Sequence, residues 1–207
     1  MRTLLYSAIF FFICNSCLSQ ERKDTILLLN GTIVYANVID TTNGVTTIRN
    51  PKNPNRNFLI ENDRIFSITD STGEHLLYVF DSVNGNEFTI AEMRYYIIGE
   101  QDAEKGFKAN GAFYGNMALA AACGVTGSLL SPIPPFLFTA LSGITKVKIK
   151  HSTVSDMEYL KQDSYIMGYE RVARKKRKLR SLIGGGIGLG VGLGTFFILK
   201  STGNEIR

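Results

Sequence analysis

At 207 residues the chain has room for one ordinary domain plus attachments, and with 44% hydrophobic and 20% charged residues its average composition is that of a soluble protein. Two histidines and three cysteines leave little for chemistry. His75 and His151 carry no metal spacing, and only Cys123 lies beyond the N-terminal segment, so a mature chain holds no intrachain disulfide. The near-neutral mean hydropathy is a mixture of a polar, β-rich first third and two later segments almost free of charge.

The first element is a targeting signal. Arg2 provides a positive start, "LLYSAIFFFI" at 4–13 an apolar core, and "NSCLSQ" a small-residue end, with Cys17 and Ser19 placed for cleavage after residue 19. Ten apolar residues are too few to cross a bilayer, which takes about 20. Residues 1–19 therefore read as a signal peptide. Lipidation at Cys17 is the alternative, although Cys14 three places earlier fits that motif poorly.

A periplasmic β module is expected over 24–88. "TILLLNGTIVYANVID" splits at Asn30-Gly31 and "TTNGVTTIR" at Asn43-Gly44, both tight-turn signals because these residues tolerate positive φ. "NPKNPNRN" is a proline-broken loop, and "FLIEN", "RIFSITD" and "EHLLYVFD" are further short strands. In the second run Ile33, Tyr35 and Asn37 alternate with Val34, Ala36 and Val38, the pattern of a half-buried strand. Five or six such strands predict a small antiparallel β barrel or curled sheet. About 60 residues is marginal for an independent core, so the module is expected to lean on a neighbour or a second copy.

An amphipathic helix is expected over 89–110. Thr89-Ile90-Ala91-Glu92 fits a capping box, and Met93, Tyr96, Ile97 and Glu100 follow at helical spacing. Residues 111–131 carry no charge, and at 1.5 Å per residue they reach about 30 Å, the length of a transmembrane helix. "SPIPP" ends that span. Within 132–180 lie a loop, an apolar segment at 136–144 too short to cross alone, and a basic helix.

The stretch "SLIGGGIGLGVGLGTFFILK" has glycine at every even position from 184 to 194. Alternating glycines do not fit a dinucleotide loop, and Lys200-Ser201 lacks the glycine a P-loop requires before lysine. On a helix they form two ridges: Gly184, Gly188 and Gly192 on one side, Gly186, Gly190 and Gly194 roughly opposite. Missing side chains let helix backbones approach closely in lipid, so 181–199 is read as a glycine-zipper transmembrane helix of about 28 Å.

Immediately before it, "RVARKKRKLR" contains Arg171, Arg174, Lys175, Lys176, Arg177, Lys178 and Arg180. Beside an apolar span these seven are expected to anchor topology in the cytoplasm and meet anionic lipid headgroups, rather than bind nucleic acid. The first span then runs inward and the second outward. A weak repeat at an offset of 69 residues, "YIIGEQDAEKG" at Tyr96 and "YIMGYERVARK" at Tyr165, would on that topology form an inverted pair.

With "DTILLLNGTI" opening a β module, "YIIGEQDA" before a Gly/Ala-rich span and "SYIMGYxxxARKKR" before the last span, the chain resembles a family of small envelope membrane proteins of the Bacteroidetes. The matching positions are Gly99, Gln101, Asp102, Ala103, Tyr165, Gly168, Tyr169 and Ala173. The resemblance implies an exported membrane protein and brings no catalytic residue and no cofactor.

Taken together, the expected fold is α+β: the β module, amphipathic helices and two transmembrane helices. The expected function is an exported envelope protein of the inner membrane, with its β module in the periplasm as a binding or scaffold module and its glycine-ridged spans self-associating. Its partners would be membrane lipids, copies of itself and an envelope protein. A small oligomeric channel or transport accessory is the alternative. An enzyme would have to use the acidic residues Glu100, Asp102 and Glu104, whose default is a solvated face, and no nucleophile, zinc or kinase motif accompanies them.

Overall fold

The computed structural model describes residues 23–50, 56–81 and 85–203; the expected signal peptide and most of the polar loop at 51–55 lie outside them. The chain divides after Tyr78, rather than at 88, into two compact units.

The first unit is all β. Strands β1 (Asp24–Leu28), β2 (Ile33–Ala36), β6 (Ile65–Thr69) and β7 (Glu74–Leu76) form one sheet in the order β2-β1-β6-β7; β3 (Val38–Asp40), β4 (Val45–Arg49) and β5 (Asn57–Glu61) form a second in the order β3-β4-β5. Every pairing is antiparallel. Both predicted turns are present: Gly31 has φ 74°, and Asn43 and Gly44 have φ 57° and 74°, with Val45 N–H closing onto the Thr42 carbonyl at 3.2 Å. Positive φ at both central residues matches the twist of the flanking strands. The expected alternation in β2 holds, Tyr35 facing solvent and Ala36 inward. β2 passes to β3 through Asn37, and β5 to β6 through a short 3-10 turn at Asn62–Arg64, so two continuous runs each serve both sheets. Ile26, Ala36, Ile48, Ile65 and Ile68 fill the shared core. The strands form two antiparallel sheets, and the closed-barrel alternative is not found. No strand pairing among the described residues closes a barrel, and β5 and β7 remain edges.

The second unit is helical. Helix α1 (Ile90–Gly106) starts at the predicted capping box: Glu92 N–H donates to Thr89 Oγ1 at 3.3 Å, and Thr89 N–H to Glu92 Oε2 at 2.8 Å. After a three-residue break come α2 (Asn110–Val125), α3 (Ile133–Ser142) and α4 (Asp163–Ser201). Three sequence expectations are corrected here. The uncharged run 111–131 is not one helix. Helix α2 stops at Val125, the chain turns through Gly127 at φ 64°, and at 16 residues α2 is about 24 Å long. The basic helix and the glycine-rich span are not separate elements but one 39-residue helix, α4. Among the described residues α4 alone is long and apolar enough to cross a membrane, so a second transmembrane helix is not shown.

The third correction concerns direction. Tyr96 lies against Gly168, Phe113 against Gly184, Met117 against Gly188 and Ala121 against Gly192. Both numbers rise together, so α1 and α2 run parallel to α4 as a two-piece companion. The repeated motifs are parallel neighbours, not an inverted pair. Helix α3 runs the other way: Pro135 is level with Gly185, Thr139 with Ser181 and Ser142 with Arg177.

Candidate functional site

The helical unit is built on close backbone approach. A Cβ added at Gly99 would collide with the Tyr165 carbonyl oxygen, and one at Gly168 with the Tyr96 carbonyl oxygen. The two tyrosine–glycine motifs found as a sequence repeat thus pack on each other reciprocally. Gly106 is pressed against Thr153 in the same way.

This proximity creates a polar layer between α1 and the first half of α4. Tyr165, fully buried, donates its hydroxyl to Asp102 Oδ2 at 2.8 Å, and the Ser155 N–H donates to the same oxygen at 2.8 Å. Burial, and then the Asp102 carboxylate, push the Tyr165 hydroxyl far up, so it remains a donor. Glu100 is 3% exposed. Its Oε1 accepts from Arg171 at 3.2 Å, its Oε2 has no partner among the described residues, and burial raises its pKa against the opposing pull of Arg171. Arg171 also donates to the Tyr96 hydroxyl at 3.1 Å. Glu104 pairs with Lys176 at 3.2 Å. The three carboxylates singled out in the sequence therefore take three different partners and do not converge on one point. No group of metal-binding side chains occurs among the described residues, and His75 is held by Asp70 and Thr72.

The seven basic residues divide. Arg171 and Lys176 pair with α1, and Arg174 pairs with Glu170 at 2.6 Å. Arg177 donates to the carbonyls of Ser142 and Thr145 at 3.2 and 3.0 Å and sits 5.9 Å from the centre of the Phe107 ring. Lys175, Lys178 and Arg180 make no ion pair among the described residues and are exposed, as are Lys146, Lys148 and Lys150. Lys178 lays its aliphatic stem over Gly143 and is exposed as a residue.

The glycines divide as well. Gly184, Gly188 and Gly192 face the backbone of α2 in the same chain, whereas a Cβ at Gly186, Gly190 or Gly194 would meet nothing within 4 Å. Gly185, at an odd position, lies against the Asn116 amide.

Asn116 was not singled out in the sequence, yet it joins three helices. Fully buried, its Nδ2 offers two hydrogens to three acceptors, the Ser181 carbonyl at 2.8 Å, Thr139 Oγ1 at 3.0 Å and the Pro135 carbonyl at 3.2 Å, while its Oδ1 has no partner among the described residues; the Thr139 and Ser181 hydroxyls are 3.0 Å apart. The carbonyl acceptors fix the amide orientation. A lone asparagine in an uncharged run was the available signal. Around this clamp the outer surface is apolar: only 22% of the most apolar window of α4 is buried in the protein, and Phe136, Leu137, Leu141, Val191 and Phe197 are exposed.

No family model, curated protein or solved structure matches the chain.

Proposed function

We propose that this is an envelope membrane protein in which the apolar half of α4, residues 181–199, crosses the bilayer and the β unit serves as a binding or scaffold module. The observation that carries this reading is the outer surface of α4: a helix of membrane-spanning length, apolar on the faces its own chain leaves bare, with a basic segment at one end. Such a surface in water would be an aggregation site; in hydrocarbon it is satisfied.

An expected signal peptide puts the β unit on the periplasmic side of the inner membrane, and the resemblance to Bacteroidetes envelope proteins agrees. The edge strand β5, with Phe58 and Leu59 exposed, supports a partner that pairs with or packs on the β unit. Self-association uses the ridge that the fold leaves open, Gly186, Gly190 and Gly194, rather than the ridge covered by α2. The test is crosslinking in isolated membranes with Gly186→Leu and Gly190→Leu together. Loss of the crosslinked species is expected at a thermal stability no lower than that of the wild type. Unchanged crosslinking would refute self-association through this ridge, and recovery of the wild-type chain after alkaline extraction in the soluble fraction would refute the membrane reading.

A further inference from the structure

We infer that α2 and α3 form a re-entrant hairpin, which enters the bilayer from the side carrying the basic half of α4 and returns to that side. The chain then crosses once, at 181–199, and residues 23–109 lie on the same face of the membrane as residues 143–180. This rests on the membrane reading above and replaces the two-span topology expected from the sequence, which would separate the β unit from the basic segment; with the β unit in the periplasm, the basic segment lies there too and not in the cytoplasm.

The direction of packing carries the inference. Helix α2 rises beside α4 from Phe113 at Gly184 to Ala121 at Gly192, and the turn after it brings Gly127 against the Phe196 ring. Helix α3 then descends, with Pro135 at Gly185, Thr139 at Ser181 and Ser142 at Arg177. Entry and exit are both at the level of the basic residues. Arg177 donates there to the carbonyl of Ser142, the last residue of α3, and to that of Thr145, and Lys146 and Lys178 flank that point, where anionic headgroups neutralise exposed cations.

The composition of the hairpin fits hydrocarbon. No charged residue occurs from 111 to 145, and the tip presents Leu129 at 98% exposure. Irregular backbone in lipid must satisfy its own polar groups. Four N–H groups at the tip find acceptors within the chain: Gly127 N–H donates to the Gly124 carbonyl, Ser131 to Ser128, Ile133 to Leu130, and Leu130 N–H to the Ser128 hydroxyl, all at 3.0–3.2 Å. The polar side chain of Asn116 is turned inward between the three helices.

Single cysteines at Ser71, Leu129, Ser152 and Ser201 in a full-length chain with Cys123→Ala, exposed to a membrane-impermeant thiol reagent in intact and in permeabilised cells, test it. Glu158→Cys repeats the Ser152 test at a second exposed site. Ser71→Cys and Ser152→Cys are expected to label together, Ser201→Cys from the opposite side, and Leu129→Cys only after detergent. Labelling of 71 and 152 from opposite sides would overturn the hairpin. So would labelling of 129 together with 201, which would make α2 and α3 full crossings. If all four label equally in a detergent-free soluble fraction, the membrane reading itself fails, and the hairpin falls with it for that separate reason.

Discussion

Alanine at two glycines one turn-half apart should have opposite effects. A Cβ at Gly188 would collide with the Met117 carbonyl oxygen and lie 2.9 Å from the Ala120 Cβ, while at Gly190 it would meet nothing within 4 Å. A backbone oxygen cannot rotate aside, so α2 must move away along its length. Overpacking of this kind costs about 1–3 kcal/mol. Replacing glycine by alanine inside a helix contributes about 1 kcal/mol in the other direction at either site. Gly188→Ala is therefore expected to be neutral to destabilising by about 2 kcal/mol, and Gly190→Ala stabilising by about 1 kcal/mol. The propensity gain cancels between the variants, leaving a gap of about 1–3 kcal/mol. At about 2–4 °C per kcal/mol for a chain of this size, the two melting temperatures should differ by roughly 2–12 °C. Thermal unfolding in detergent micelles followed by circular dichroism measures this. Equal melting temperatures, or greater damage at position 190, would refute the assignment of the two ridges.

Two further predictions concern the polar contacts. Burial holds the Glu100 carboxyl above its ordinary value of 4.5 and Arg171 pulls it down, so Arg171→Gln should raise it further. A folded-state pKa raised above the unfolded one means stability present below the unfolded value and lost as pH rises through the folded value. Arg171→Gln should thus lose stability relative to wild type only as pH climbs through the wild-type folded value, above the ordinary glutamate range, since below it both proteins lose stability alike. The loss should plateau at about 1–2 kcal/mol, below the cost of breaking a fully buried pair because Arg171 is largely exposed. Adding Glu100→Gln should abolish that pH dependence, which denaturant unfolding across pH 4–8 would reveal. Asn116→Leu removes the clamp between α2, α3 and α4 and should cost about 0.6–2 kcal/mol, the range of hydrogen bonds between helices in lipid. Faster proteolysis of the hairpin in micelles is the readout, and an unchanged digestion rate would count against the clamp.

Local signals were legible in the chain. The Asn30-Gly31 and Asn43-Gly44 turns, the Thr89–Glu92 capping box and the alternation in β2 each follow from the conformational or hydrogen-bonding needs of a few neighbouring residues, and each is present. The apolar, glycine-rich stretch from Ser181 is helical as expected, though as the second half of α4, since its length and lack of charge are properties of consecutive residues. The end of α2 was less legible. Residues 126–131 are uncharged like the helix before them, and only Gly127, at positive φ, distinguishes the turn.

What tertiary structure decided was which residues share a neighbour. Two glycine ridges are equivalent in sequence; α2 covers one, and nothing among the described residues covers the other. Seven basic residues read as one cluster, yet three are engaged by carboxylates or carbonyl oxygens from other segments and Arg174 by Glu170 on its own helix, which leaves Lys175, Lys178 and Arg180 exposed. The repeat of tyrosine and glycine at 96–99 and 165–168 was visible, but its parallel arrangement was not. Helix direction depends on how the intervening chain returns, and that return is made by α3 and the contacts of Asn116 and Arg177, whose partners lie tens of residues away. Periodicity is a local property that the chain carries along its length. Direction and pairing arise only when distant segments compete for the same face.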